Sequence, residues 1–237
     1  MVAGSIARPT CRVCGASPTV RSHHIPRSFI KGIRGTDKHA LVTDRDRPGH
    51  RPTQGGTFSD DIFCAEHEAV TGHLDDIAVR FCKAAYAGPP MVAGSAFEVE
   101  GFDPIALVRF ACSILLRCHY SSRDETRLVD LGPYADDLAS VVFDRDLARA
   151  PHAYIHSAVS RELDFRELAS LPASRRVEHS RRWSFQCGGI VFLVDLGRSK
   201  PAYPLSLLEE GKPIRGPVFN FDNTSLAASW RSLVEQD

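Results

Sequence analysis

"CRVCGASPTVRSHHIPRSFI", residues 11–30, decides how the rest of the chain is read. Cys11 and Cys14 are two residues apart, so one short turn can aim both thiolates at a single ion. A second pair with the same gap, Cys64 and His67, lies in "FCAEHE" (63–68). Together they supply three sulfurs and one imidazole nitrogen, a closed tetrahedral set suited to structural Zn²⁺. The alternative is four unrelated residues. Between Cys14 and Cys64 lie 49 residues, more than a simple finger needs. Something is inserted, and the insertion contains "SHHIP". A metal of this kind stabilises a fold too small to hold itself together. Chemistry would have to come from the inserted loop.

The chain of 237 residues is 43% hydrophobic and 24% charged, as in soluble globular proteins. Its longest apolar runs, "IALVRFACSILLRC" (105–118) and "GGIVFLVDLG" (188–197), are short or interrupted by charge. They predict no membrane span. The first ten residues lack the apolar core of a signal peptide, so the expected location is cytoplasmic. In that compartment the seven cysteines are expected to be reduced. Cys82, Cys112, Cys118 and Cys187 sit in apolar contexts and read as small buried hydrophobes.

The net charge is zero, yet unevenly placed. Residues 1–58 hold ten Lys and Arg against three Asp and Glu, and the remainder carries the opposite excess. A basic segment can track a phosphate backbone. It can also be a solvated surface. A pI near 7.1 argues against a whole surface devoted to nucleic acid.

Apolar residues at three- and four-residue steps predict a helix over about 65–86, ended by Gly88-Pro89-Pro90. Asp103 as N-cap and Pro104 at the first position predict another over 103–120. Further helices are expected near 123–131 and 133–148, and a last one over 224–235. "HALVT" (39–43) reads as a strand in a Gly-, Pro- and Arg-rich loop. Strands are expected over 153–159, 182–189, 190–196 and 216–222. The fold class is therefore α+β. A zinc-stabilised core occupies residues 1–90. A body of helices and antiparallel strands, of no evident role, occupies 91–237.

A His followed three residues on by Pro, between a CxxC and a second knuckle leading into a helix, resembles the HNH endonucleases. The likeness covers about residues 10–80. It also extends to a group of prokaryotic proteins with "SHxIP" and "LCxxCE" motifs, matched here by "SHHIP" (22–26) and "FCAEHE". The resemblance implies a ββα-metal core of two strands and a helix around one catalytic metal. It places His23 as general base and Pro26 as the motif proline. It implies a divalent ion, Mg²⁺ or Mn²⁺, held near Glu68 or His73, with hydrolysis of phosphodiester bonds as the activity. DNA is the expected substrate ahead of RNA. Arg21, Arg27, Lys31 and Arg34 would steer the backbone. A homodimer is compatible with such a core.

Ser22 departs from the pattern, because these nucleases commonly carry Asp, Glu or His before the base. Each residue also has a plainer role. His23 would steady a turn beside the knuckle, and His24 would be a hydrogen-bonded loop residue. Glu68 would complement a helix dipole, and His73 would be a polar helix-face residue. On those readings the chain is a non-catalytic zinc module that binds nucleic acid or a protein. His152 and His156, four apart on a strand, read as structural. Arg175, Arg176, Arg181 and Arg182 read as charge protecting an exposed strand edge.

Overall fold

The computed structural model describes residues 9–44, 47–161, 163–177, 180–197 and 207–222. The helix expected over 224–235 lies outside the described residues. Strand β1 (Thr19–His23) leads into helix α1 (Arg27–Arg34). The antiparallel pair β2 (Ala40–Asp44) and β3 (Arg47–Thr53) follows. Strand β4 (Phe58–Cys64) then runs without a loop into helix α2 (Ala65–Ala87). β1 and β4 pair antiparallel, Thr19 opposite Cys64 and His23 opposite Phe58, with a register shift between Val20 and Ser22. Two strands and a helix thus form a unit, with α1 and the β2–β3 pair inserted between the strands.

Three of these elements differ from the sequence reading, which had loop at α1 and β3 and no strand at β4. "RPGHRPT" carries two prolines and a glycine, which depress strand propensity. "FSDDIFC" holds adjacent aspartates, unfavourable in a strand until Ile62 and Phe63 are buried. α1 has eight residues, too few to persist without the packing of Phe29 and Ile30.

α2 buries Thr71, Leu74, Ala78, Phe81, Cys82 and Ala85 along one stripe, and Glu66 and Glu68 sit in its first turn where the dipole favours acids. Strand β5 (Ala96–Val99) precedes helix α3 (Pro104–Tyr120), whose N-terminus is capped by Asp103 Oδ1 accepting from the Ile105 N–H at 2.9 Å. Every residue of α3 from Ala106 to Cys118 is buried. A helix covered all round must be central, and its Phe110 ring meets Phe29 on one side and Phe185 and Phe192 on the other.

The region 123–131 is not a helix. Only Asp124–Thr126 makes a short 3₁₀ turn, and the Leu131 N–H donates to His119 Nδ1 at 3.3 Å. The helix expected over 133–148 is shorter than predicted. α4 spans Tyr134–Ala139 and widens into a π turn at Ser140–Asp144. There buried Arg109 donates from Nε to the carbonyls of Val141 and Val142, both at 3.2 Å. Those contacts give the widened carbonyls a partner.

The remaining strands are β6 (His152–Val159), β7 (Ala173–Val177), β8 (Ser180–Cys187), β9 (Ile190–Asp195) and β10 (Ile214–Asn220). They form, with β5, one six-stranded sheet in the order β5-β10-β6-β9-β8-β7. The expectation of a purely antiparallel region needs correction, because β10 pairs with β6 in parallel. Gly188 and Gly189, at φ 57° and 81°, make the β8–β9 turn. A Cβ on Gly188 would lie 2.6 Å from the Phe29 ring, and one on Gly189 would lie 2.4 Å from Tyr86. Only glycine lets this turn approach α1 and α2 so closely. One cluster of buried hydrophobic side chains runs from Cys11 through Phe81 and Phe110 to Val218. Among the described residues no helix is long and apolar enough to cross a membrane.

Candidate metal centre and histidine site

Cys11 and Cys14 lie in one turn, closed by the Gly15 N–H on the Cys11 carbonyl at 2.9 Å. The Arg12 N–H donates to the Ile62 carbonyl at 2.9 Å, which ties this turn to β4. Cys64 ends β4 and caps α2, whose first turn carries His67. His67 Nδ1 lies 3.7 Å from Cys11 Sγ, 3.6 Å from Cys14 Sγ and 3.1 Å from Cys64 Sγ, and the Cys14 and Cys64 sulfurs are 3.8 Å apart. All four donor atoms fall within 4.8 Å of one another. A tetrahedron with bonds of about 2.0–2.3 Å has edges of roughly 3.3–3.8 Å, so an ion fits this cage. Burial alone would push the Cys11 thiol up, but the backbone around Cys14, Cys64 and Val13 holds it below its ordinary value. That favours the thiolate a metal needs. The His67 ring rests edge-on against Phe143 at 4.5 Å, which fixes its orientation. Among the described residues this is the one group of three or more such side chains close enough to hold a metal ion.

The other end of the two-strand unit carries the histidines. His24 is fully buried. Its Nδ1 lies 3.0 Å from Thr57 Oγ1 and its Nε2 lies 3.0 Å from Ser59 Oγ. Burial, aided by Arg117 and Arg123, lowers its pKa to about 4. Both ring nitrogens are thus spoken for, and His24 holds the loop shut as a neutral imidazole. His23 points the other way and is half-buried, its ring 5.8 Å from that of Phe58. Burial lowers its pKa, and Arg27, Arg117 and Arg21 add to the effect against Asp60. The neutral, proton-accepting form therefore dominates at neutral pH. A Cβ built on Gly55 would lie 3.7 Å from both His23 Nε2 and Arg27 Nε. The Gly55 backbone thus passes beside both side chains.

Ser22, on the buried face of β1, donates from Oγ to Glu68 Oε2 at 2.6 Å. Thr71 Oγ1 donates to the Glu68 carbonyl at 3.1 Å. Burial raises the Glu68 pKa, while Arg117 and Ser22 oppose the rise. Arg117 comes from α3 and is fully buried. It meets Asp75 of α2 with two hydrogen bonds, Nη1 to Oδ1 at 3.0 Å and Nη2 to Oδ2 at 2.9 Å. Burial opposes its charge, but Asp75 and Glu68 outweigh that and hold the guanidinium above its ordinary pKa.

The fold thus joins Ser22 to Glu68, while His23, the next residue of β1, faces the opposite side of the strand beside Phe58. It does not add His73, which stands on the exposed face of α2, about 140° around the helix from Glu68. Arg21 is exposed, stacks on Phe58 with its guanidinium carbon 4.1 Å from the ring centroid, and bonds Asp60 at 3.2 Å. Arg27, Lys31 and Arg34 share one face of α1, with Arg27 nearest His23 and Arg34 half-buried. Arg117 and Arg123 are absent from the sequence reading. For Arg117 a signal exists: like Arg109, it is a cation inside an apolar helix and must find a buried partner. Arg123 offers none.

Elsewhere, Cys82, Cys112, Cys118 and Cys187 are buried, and burial pushes their thiols up, as suits small hydrophobes. His156 is lowered to about 4 by burial within β6. Arg175 and Arg176 do lie on the edge strand β7, whereas Arg182 is buried and bonds Asp195 at 3.0 Å. No family model matches the chain, and no curated protein or solved structure matches it either.

Proposed function

We propose that this chain is an HNH-type endonuclease with a zinc-stabilised ββα core, hydrolysing phosphodiester bonds in nucleic acid, DNA ahead of RNA. The observation that carries the reading is His23. It is a half-buried imidazole at the end of β1, held neutral by burial and the nearby Arg27 charge and flanked with Arg27 by Gly55, on the strand pair whose other end carries the Cys11, Cys14, Cys64 and His67 cage. Zinc in that cage would lock β4, α2 and the Cys11 turn together. His23 would take the proton from the attacking water, and Arg21 and Arg27 would hold the phosphate. Mg²⁺ or Mn²⁺ near Glu68 would supply charge stabilisation at the leaving oxygen.

A second reading, a non-catalytic zinc module, is favoured by one observation. Ser22 and Thr71 already hydrogen-bond Glu68, and Arg117 pairs with Asp75, with Ser22 in the position where a metal-binding acid is expected. The test is cleavage of plasmid DNA, single-stranded DNA and RNA with Mg²⁺ and Mn²⁺, wild type beside His23→Ala at equal zinc content. Cleavage lost in the variant supports the nuclease. An intact, zinc-loaded wild type that cuts none of the three favours the module.

A further inference from the structure

The turn after α3, residues 121–123, is bound to β4 by two hydroxyl contacts. Ser121 Oγ lies 2.7 Å from Ser59 Oγ, and Ser122 Oγ donates to Asp61 Oδ2 at 2.8 Å. Ser59 Oγ is also the partner of His24 Nε2, so the chain of contacts reaches the histidine loop. Ser121 Oγ accepts from the Arg123 N–H at 3.1 Å and so sets the backbone there. The result places the exposed Arg123 guanidinium 5.7 Å from the centroid of the Phe58 ring. Arg21 lies over the same ring at 4.1 Å, and His23 packs against it at 5.8 Å. Among the described residues Arg123 makes no ion pair, whereas Arg21 is matched by Asp60.

We infer that Arg123 is a phosphate-binding residue of the His23 site, supplied by the C-terminal body, so that nucleic acid is gripped by the two-strand unit and the body together. Arg123 has this role only if nucleic acid is the ligand, as proposed above. A guanidinium without an acidic partner, on a turn held at both hydroxyls and sharing the Phe58 ring with a second cation, Arg21, has little to give up before it meets an anion. Its charge falls on the same ring as Arg21 and His23, so one strand passing His23 would run beside all three. The grip is electrostatic and carries no base preference.

The test measures binding in the His23→Ala background, so that no cleavage disturbs the equilibrium. Fluorescent 20-nucleotide single-stranded DNA, duplex DNA and RNA would be titrated with the full chain across a salt series. Arg123→Ala is expected to weaken binding about 5- to 10-fold near 0.1 M salt. It should also reduce the slope of log K against log salt by roughly 0.7–0.9, the release of one counterion. Arg215→Ala, which removes a cation paired with Glu98, should leave both unchanged. Binding that keeps its affinity and slope in Arg123→Ala while Arg27→Ala weakens it overturns the role of Arg123 and leaves nucleic acid as the ligand. A parent protein that binds none of the probes overturns both. Binding that depends on Arg123 in a protein whose wild type never cuts sustains Arg123 and removes the nuclease.

Discussion

Arg117 of α3 and Asp75 of α2 meet through two parallel hydrogen bonds, 3.0 and 2.9 Å long, in a place where the arginine has no exposure to solvent. The pair does more than join two helices. Arg117 also acts on Glu68, His23 and His24, in each case behind the larger effect of burial, so one buried charge is felt across the histidine end. Replacing it without its partner strands a carboxylate. Arg117→Met is expected to cost about 3–5 kcal/mol of stability. Asp75→Leu in the same chain should recover a large part, because the uncompensated charge is then gone. Denaturant unfolding of the two variants measures this, and equal losses in both would refute the pairing argument.

The metal cage makes a separate prediction. Purified protein should carry about one zinc per chain, and Cys14→Ser should lose it. The Cys11 turn is then held to the continuous β4–α2 segment by contacts such as the Arg12–Ile62 hydrogen bond. A loss of about 3 kcal/mol would lower the melting temperature by roughly 6–12 °C. Elemental analysis with thermal unfolding decides it; full zinc occupancy in Cys14→Ser would show that the cage is not the site.

His24 predicts a loss of stability in acid. Its pKa is near 4 in the folded chain against about 6.5 unfolded. Between those values the unfolded state binds the extra proton, so stability falls as pH drops from 6.5 to 4 and is flat for this group outside that window. The depressed pKa corresponds to at most about 3 kcal/mol. His156 contributes in the same direction. His24→Gln should flatten the slope by up to one proton relative to wild type, read as a difference so that acid release of the metal cancels. Identical slopes in the two proteins would place His24 in water, not in the Thr57–Ser59 clasp.

His23 should titrate below 6.5, and Arg27→Ala should move its midpoint upward, because burial and the Arg27 charge both disfavour the imidazolium. Imidazole NMR reads the shift whether or not the protein cuts anything. If it does cut, the acid limb of the rate should follow the same midpoint. A midpoint that ignores Arg27 would separate the two side chains that flank Gly55.

Ser22→Ala removes the donor to Glu68 Oε2 and leaves a buried carboxylate oxygen short of a partner. The expected cost is about 1–3 kcal/mol in chemical unfolding. A neutral result would mean that Glu68 turns to another donor.

The local code determined much of this. The two-residue gaps in Cys11-Cys14 and Cys64-His67 were enough to predict the cage, because a short turn and a helix start each aim two ligands one way. α2 and α3 were readable from a long apolar period and, for α3, the Asp103 cap. The strands β8 and β9 were readable from their apolar residues, although the expected strand over 182–189 ran through Gly188-Gly189, which make the turn between them. Short or polar elements were not: α1, β3 and β4 gain their order from what covers Phe29, Ile62 and Phe63, and a window of sequence does not contain that cover. The same holds for the histidine end. Which of His23 and His24 is buried depends on Thr57 and Ser59 across the strand pair. Arg117 and Arg123 come to the histidine end, beside α2 and β4, because α3 packs centrally and the turn after it is clasped to β4. That neighbourhood is a product of packing, and only the tertiary structure decides it.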